Sequence, residues 1–407
     1  MGYARSLDPL QELHLFKPPP LRVPRFCFVL LLSLLGLSFT RHAHAYAWMI
    51  RHDYGSCGTC HTDPSGAGLL NEYGRDQSDA LLRMRYGAPA SDISSTSGFL
   101  WGLVKEPRFL TLGGQFRPMF MELQVGSASF ASSTILMQTD LQAEVNFGHF
   151  RANASVGLAP TDGSGASIAG GVISREHWLG YGLSDDRLLL RVGRINLPFG
   201  VRSIEHTLWV RRATRTDLND TQQHGVALAF DGSGIRAEVM AIAGNYQIRP
   251  DAYRERGYSL SVEYAAAERL ALGVSSLATH AARDLYVKLP NTRQAHGLSA
   301  RFAPWRPLVL LGEADMLVQH TTGSATLVGA ATMLQADVEP TQGLHFMLTG
   351  ETYSPGKQAQ SYGGWLGSAW FFAPHADMRV DLMRRSEIFG PSRVPVTAAM
   401  AQLHVFL

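Results

Sequence analysis

From about residue 107 onward, apolar and polar residues alternate along the chain. In residues 135–147, Ile135, Met137, Thr139, Leu141, Ala143, Val145 and Phe147 fall on one face, while Gln138, Asp140, Gln142, Glu144 and Asn146 fall on the other. A period of two sustained over that length predicts a strand with one apolar and one wet face. Residues 235–244, 258–264 and 378–382 repeat the pattern. Turn signals separate the repeats at Asp162-Gly163, Asp231-Gly232-Ser233-Gly234, Thr322-Gly323-Ser324 and Ser354-Pro355-Gly356.

About sixteen such segments of about 10 residues each are expected, the length at which a tilted strand crosses a bilayer and too many strands for one sandwich. The chain ends with Leu403, Val405 and Leu407 on one face and Gln402 and His404 on the other, which predicts a last strand with a lipid-facing side. Trp178, Tyr181, Trp209, Tyr246, Trp305, Trp365 and Trp370 lie near strand ends, where aromatic rings form girdles at the two membrane interfaces. The fold class predicted is all-β, a transmembrane outer-membrane β-barrel of about 16 strands over residues 101–407. A soluble β protein carrying the same alternation is the competing reading. Sixteen strands would leave an aqueous lumen unless something fills it.

Composition agrees with a barrel. Only 17% of the 407 residues are charged, 40 are glycine, and the formal net charge is +2. No helical period dominates, and no basic stripe marks the chain for nucleic acid, so none is expected as a partner. No Ser/His/Asp spacing, H-E-x-x-H, Walker loop or dinucleotide fingerprint is present, which leaves hydrolytic and nucleotide chemistry without support. Residues 28–39 are a short apolar run, preceded by Lys17, Arg22 and Arg25 and followed by Ala43-His44-Ala45. That order is a secretory signal, expected over residues 1–45, with cleavage before Tyr46.

The chemistry is concentrated in Cys57-Gly58-Thr59-Cys60-His61. C-x-x-C-H is the attachment signature of a c-type haem: two thiols bond the porphyrin and the adjacent histidine is placed to bind its iron. A four-cysteine zinc site is excluded because the other cysteine, Cys27, lies in the leader. A thioredoxin-like motif would need a βαβ context, and none is visible. One covalent haem c on Cys57, Cys60 and His61 is therefore expected. Met84, Met49 and His52 are candidates for the second axial position, with Met84 favoured because the chain after the motif can fold back across the ring. Asp63 to Gly68 reads as a turn, and residues 69–75 and 79–85 as a short helix. Residues 46–100 are too few for an independent core, which predicts a haem module lodged in the barrel as a plug.

An exported single C-x-x-C-H segment followed by a barrel resembles the fused monohaem cytochrome–porin family of outer-membrane proteins. The likeness covers almost the whole mature chain and is concentrated in Arg51, Cys57, Cys60, His61 and Tyr73-Gly74-Arg75. Members that oxidise iron carry F-A-R-Q-T-G before the motif, where this chain has Met49-Ile50-Arg51-His52-Asp53-Tyr54 and only Arg51 matches. The resemblance implies electron transfer in the bacterial outer membrane, between an extracellular donor or acceptor, ferrous iron being the first donor to consider, and a periplasmic c-type cytochrome. Gly193 to Gly200 is similar to a strand-to-loop sequence of porin-like barrels. A diffusion porin with a structural or sensory haem-bearing plug is the alternative. The connection 198–223 carries Arg202, Glu205, His206, Arg211, Arg212, Arg215, Asp217 and Asp220. Such opposed charges narrow a pore if the loop folds inward and are merely solvated if it does not.

Overall fold

The computed structural model describes residues 47–66, 68–87, 98–158, 171–184, 187–203, 205, 207–216, 221–356, 360–390 and 392–407. The expected leader, the Asp162-Gly163 turn, the 89–97 linker, His206, Asp217 and Asp220 lie outside these residues.

The wall starts with β1 (Leu110–Val125), β2 (Ala131–Phe147), β3 (Phe150–Leu158), β4 (Val172–Ile173), β5 (His177–Leu183) and β6 (Leu188–Ile195). It continues through β7 (Gln223–Gly232), β8 (Ile235–Gly244), β9 (Arg256–Ala267), β10 (Leu270–Ala281), β11 (Asn291–Trp305) and β12 (Leu308–Thr321). It closes with β13 (Leu327–Thr341), β14 (Leu344–Ser354), β15 (Ser361–Ala373), β16 (Ala376–Phe389) and β17 (Ser392–Phe406). Strands β4 and β5 are one stave: both pair with β3, and between them the Ser155 N–H donates to the Glu176 carbonyl at 2.8 Å. Pairing runs antiparallel around the wall, and β17 returns to β1 from Gln115↔Phe406 to Val125↔Val396. The described residues thus form a closed barrel of sixteen staves with no free edge, as the alternation predicts.

The two faces follow the alternation. Leu179, Val192, Leu298, Leu334, Leu348, Leu366 and Leu382 are exposed on the outside, where only lipid would meet them, while Asn153, Arg191, Glu238, Arg301, Asp337 and Asp381 are buried inside. Leu403 faces outward and Gln402 and His404 inward, as expected. One register differs. A β-bulge shifts the register of β1 against β2, from Arg117↔Gln138 to Pro118↔Leu136, with Met137 as the extra residue of β2, so Ile135 and Met137 pack in the lumen rather than continuing the lipid face. The aromatic girdle is also divided. Tyr181, Tyr246 and Trp305 are exposed, whereas Trp178, Trp209 and Trp365 are buried in the lumen, where other apolar side chains fill the space that water would hold in an open pore.

At one end of the barrel the connections are short, two residues between Phe147 and Phe150, Ala267 and Leu270, or Thr341 and Leu344, and four between Leu183 and Leu188. At the other end most are longer, the longest running from Ile195 to Gln223, although β16 and β17 are joined by two residues. Short turns mark the periplasmic end of outer-membrane barrels. The chain enters β1 and leaves β17 at that end. With its apolar outer belt, the protein is a bacterial outer-membrane barrel.

Candidate functional site

Residues 47–66 and 68–87 lie inside the wall, in its periplasmic half. Their elements are short: a 3-10 helix at Ala47–His52, helix α1 (Glu72–Gln77) capped by Asn71, whose side chain accepts the Gly74 N–H at 2.8 Å, and a single π turn at Ser78–Leu82. Too short to be stable alone, they are held by the wall. Trp48, Met49, Ile50 and Leu82 share a buried cluster with Val309, Leu311, Met347 and Phe371 of the strands. Arg51 donates to Glu339 Oε2 at 3.0 Å and pairs with Asp337. Trp48 packs on His345 with ring centroids 4.4 Å apart. Arg301, paired with Glu263, donates to the carbonyls of Ala47 and Gly55 at 3.4 and 3.2 Å. At the innermost point, Asp63 receives Arg191 Nη1 at 2.9 Å and Asn196 Nδ2 at 3.1 Å, and Arg191 also pairs with Glu238.

The haem signature sits on one turn. The Cys57 carbonyl accepts both the Cys60 N–H at 3.1 Å and the His61 N–H at 3.0 Å, and side chains three and four residues apart on a helical turn share a face. Asn71 ties the turn down: its Nδ2 donates to the Thr59 carbonyl at 2.7 Å and its N–H to the Cys60 carbonyl at 2.9 Å. Space around the motif is tight. Gly66 has φ +90°, and a Cβ there would stand 2.8 Å from Cys57 Cβ and Sγ. Arg236 of β8 approaches Cys57 Sγ at 2.7 Å. Both cysteines carry free thiols, and burial, with Cys57 adding, pushes the Cys60 thiol up to about 12.

His61 lines a lumen cavity of about 230 Å³. Trp48, Met49, Leu70 and Phe406 line its apolar side, and Gln115, Arg117, Gln142 and Arg175 its polar side. A porphyrin is likewise amphipathic, an apolar ring with two carboxylates. The volume is below the about 300–1,000 Å³ of sites that enclose a whole ligand, so the cavity would receive one part of the group. Two free thiols and an imidazole on one turn, the imidazole lining this cavity, fit a covalent haem.

The candidates for the second ligand are dispersed. Met49 is buried and lines the cavity that His61 lines. Met84 lies beside the periplasmic turn at Gly343, its N–H donating to the Phe371 carbonyl at 2.9 Å. His52 Nε2 is 3.8 Å from Glu339 Oε2, on the β13 side of the plug.

The connection after β6 folds inward and fills the extracellular half. It carries helix α2 (Trp209–Thr214). Arg211 pairs with Glu313, and Glu205 with Arg379. Arg385, paired with Glu351, lies between Trp209 and Trp365 at 4.6 and 5.0 Å from the ring centroids. Arg215 reaches Glu255 at 2.9 Å and Asp284 at 2.8 Å, while Arg212 is exposed. Burial opposes ionisation of Glu205, yet Arg379 and the Ser203 hydroxyl hold its carboxyl below the usual range. The loop meets the plug where Arg202 Nε donates to the Ser65 carbonyl at 3.1 Å. The wall partners Arg191, Arg236, Glu238, Asp337 and Glu339 have one sequence signal only: charge at lumen-facing strand positions.

No family model matches the chain, and no curated protein matches it either. Among solved structures, the barrel is similar to outer-membrane expressed OmpT of Vibrio cholerae, at 10% identity over 74% of this chain and 99% of that one, with a TM-score of 0.56. It is also similar to an anion-selective porin from Comamonas acidovorans, at 11% identity over 73% and 99%, with a TM-score of 0.55. The outer membrane channel DcaP of Acinetobacter baumannii aligns at 12% identity over 73% and 97%, with a TM-score of 0.54. At these identities the likeness shows the fold, a porin-like outer-membrane barrel.

Proposed function

We propose that this porin-type barrel carries one covalent haem c in its plug, and that the plugged barrel passes electrons across the outer membrane. The observation that carries this reading is the turn bearing Cys57, Cys60 and His61, locked inside a lumen that is packed from both ends. Cys57 and Cys60 would hold the group through thioethers and His61 through its imidazole. Once bound, the haem supplies a one-electron carrier whose potential follows its axial ligands and burial. Arg51, Asp63 and Arg301 fix the turn to the wall, Trp48 and Leu82 exclude water, and Arg117 and Arg175 offer cations to carboxylates. Met49, which lines the cavity that His61 lines, or Met84 would supply a thioether as a further ligand to the iron. A periplasmic c-type cytochrome is the proposed partner at the short-turn end. An external donor, with ferrous iron the first choice as substrate, is proposed at the other.

A second reading, a solute channel with a structural or sensory plug, is favoured by the likeness to an anion-selective porin and to an outer membrane channel. The remaining lumen cavity is lined by Arg117, Arg175 and Arg202 together with Asp140, Glu176 and Glu205, a mixed-charge constriction of the kind that selects solutes by charge. Haem staining on denaturing gels, combined with planar-bilayer conductance of the same preparation, separates the two. Electron transfer predicts a stained band that Cys57→Ala/Cys60→Ala abolishes, together with low conductance. Large, steady conductance with no stain from a host competent in cytochrome maturation supports the channel.

A further inference from the structure

The outer face of the barrel carries an arc of basic and imidazole side chains at its extracellular rim, above a belt that is otherwise apolar. On β5–β7, His177, Arg194 and His224 stand side by side in cross-strand register. Alternation puts the two imidazoles on the face of Leu179, Val192 and Val226, all exposed to the lipid side, while the Arg194 guanidinium between them is buried and reaches the Gln222 side chain at 3.4 Å. The two imidazoles meet Nε2 to Nε2 at 3.1 Å. Their other nitrogens are engaged, His177 Nδ1 with Ser174 Oγ at 2.9 Å and His224 Nδ1 accepting the Tyr246 N–H at 3.1 Å. Tyr246 extends the arc, with the Arg254 guanidinium 4.6 Å from its ring centroid.

The arc resumes on the next staves. Arg256, His280, Thr292 and His320 form one row across β9–β12 through the pairs His280↔Arg256, His280↔Thr292 and Thr292↔His320. They share the outward face of Tyr258, Leu298 and Met316. Neighbouring hydroxyls orient the rings, Thr292 Oγ1 at 2.9 Å from His280 Nδ1 and Thr326 Oγ1 at 3.0 Å from His320 Nδ1. One acid accompanies the arc among the described residues named here: Asp251, which accepts Arg254 at 2.7 Å and Arg256 at 2.8 Å. A solvated rim would need neither the shared register nor the fixed rings.

We propose that this arc binds the phosphate groups of outer-leaflet lipid headgroups. The exposed Arg256 guanidinium gives charge-assisted bonds to phosphate oxygens, His280 and His320 add ring N–H donors beside it, and this row lies within a residue or two of the strand ends, at headgroup depth. A cation there costs little, about 0–1 kcal/mol near the interface. The site is independent of the haem. It would fix the depth and lipid shell of the barrel from the extracellular side.

The test uses the full protein, delipidated in neutral detergent and titrated with a lipid bearing a phosphate monoester headgroup, with a neutral lipid of equal chain length, and with inorganic phosphate. Native mass spectrometry counts bound lipid. The phosphorylated lipid should bind at least tenfold more tightly than the neutral one, and high salt should weaken that preference. Arg256→Gln/His280→Gln/His320→Gln should lose most of it, and heat-modifiable gel migration checks that this variant folds. Inorganic phosphate alone should not compete at equal concentration. Equal binding of the two lipids, a salt-independent preference, or full binding by the folded variant would overturn the proposal. Competition by inorganic phosphate at equal concentration would overturn its assignment to lipid and leave a free-phosphate site.

Discussion

The lumen is filled by two bodies, and they are held by different forces. The plug from the N-terminal side packs a compact apolar cluster, Trp48, Met49, Ile50 and Leu82, against the wall and adds a few buried ion pairs at its edges and tip. The inward loop from the extracellular side also packs apolar residues, Leu208 and Val210 among them, but its register is fixed by arginine–carboxylate pairs at Glu205, Arg211 and Arg215 and by the Trp209 N–H donating to the wall carboxylate Glu351 at 2.9 Å. Apolar burial is non-directional, whereas a buried ion pair tolerates one geometry and penalises the loss of either partner. The plug is thus seated by apolar packing with charged locks at Arg51 and at its Asp63 tip, whereas the loop is locked by charge at Glu205, Arg211 and Arg215.

The largest effect should come from the signature itself. Cys57→Ala/Cys60→Ala should abolish covalent haem, read by in-gel peroxidase staining, and leave barrel assembly intact, read by heat-modifiable migration.

Next comes the lock. Arg191→Met leaves Asp63 and Glu238 buried without their cation, a loss of about 3–5 kcal/mol for a buried pair. It should loosen the plug, raising conductance and exposing the 47–87 segment to trypsin. Arg379→Met, which strips Glu205 of its cation, should free the loop and leave the plug protected. Identical protease patterns from the two variants would erase the distinction between the bodies.

Acidification should act on the plug in two opposite steps. Burial raises the Asp79 carboxyl above its ordinary value despite Arg83. Its charge is therefore a penalty at neutral pH that lifts as pH falls through that raised value. Burial also opposes the charge on Asp63, but Arg191, Arg202, the Ser65 N–H and Asn196 hold its carboxyl below the ordinary value. That contribution is complete above the unfolded value of about 3.9 and is lost as pH falls through the lower folded one. Trypsin protection of the plug should thus rise slightly on mild acidification, then collapse only below about pH 4. Asp79→Asn should remove the first step and Asp63→Asn the second.

The smallest effect belongs to the wall. Val405→Arg places a cation on the outward face near the periplasmic end of β17, costing about 1 kcal/mol or less at that depth and 2–4 kcal/mol only at the midplane. Its folding midpoint in detergent–urea titrations should shift slightly, and less than that of Leu366→Arg on the same face.

The wall was legible in the sequence because strand alternation is local: each residue's face follows from its neighbours two positions away. It failed at Ile135 and Met137, where the bulge opposite Arg117 and Pro118 exchanges the faces, a feature set by pairing with another strand. Trp178, Trp209 and Trp365 were expected at the membrane interfaces and instead fill the lumen, since ring position along a strand does not say which side is packed. Cys57, Cys60 and His61 were readable from their spacing. Their surroundings were not: Arg236 meets Cys57 and Arg191 meets Asp63 across more than a hundred residues of chain, through contacts that only barrel closure creates.

The central claim is that the plugged lumen carries electrons rather than solutes. It is tested most directly by stopped-flow absorption of the purified protein in sealed vesicles, with ferrous iron or another membrane-impermeant reductant added outside and solute flux measured on the same vesicles. Electron transfer through the plug predicts a haem spectrum that responds to the external agent, passes its electron to a c-type cytochrome enclosed inside, and does so while solute flux stays near the protein-free background. A spectrum without haem, or a haem that ignores every external agent while solutes cross rapidly, would contradict it.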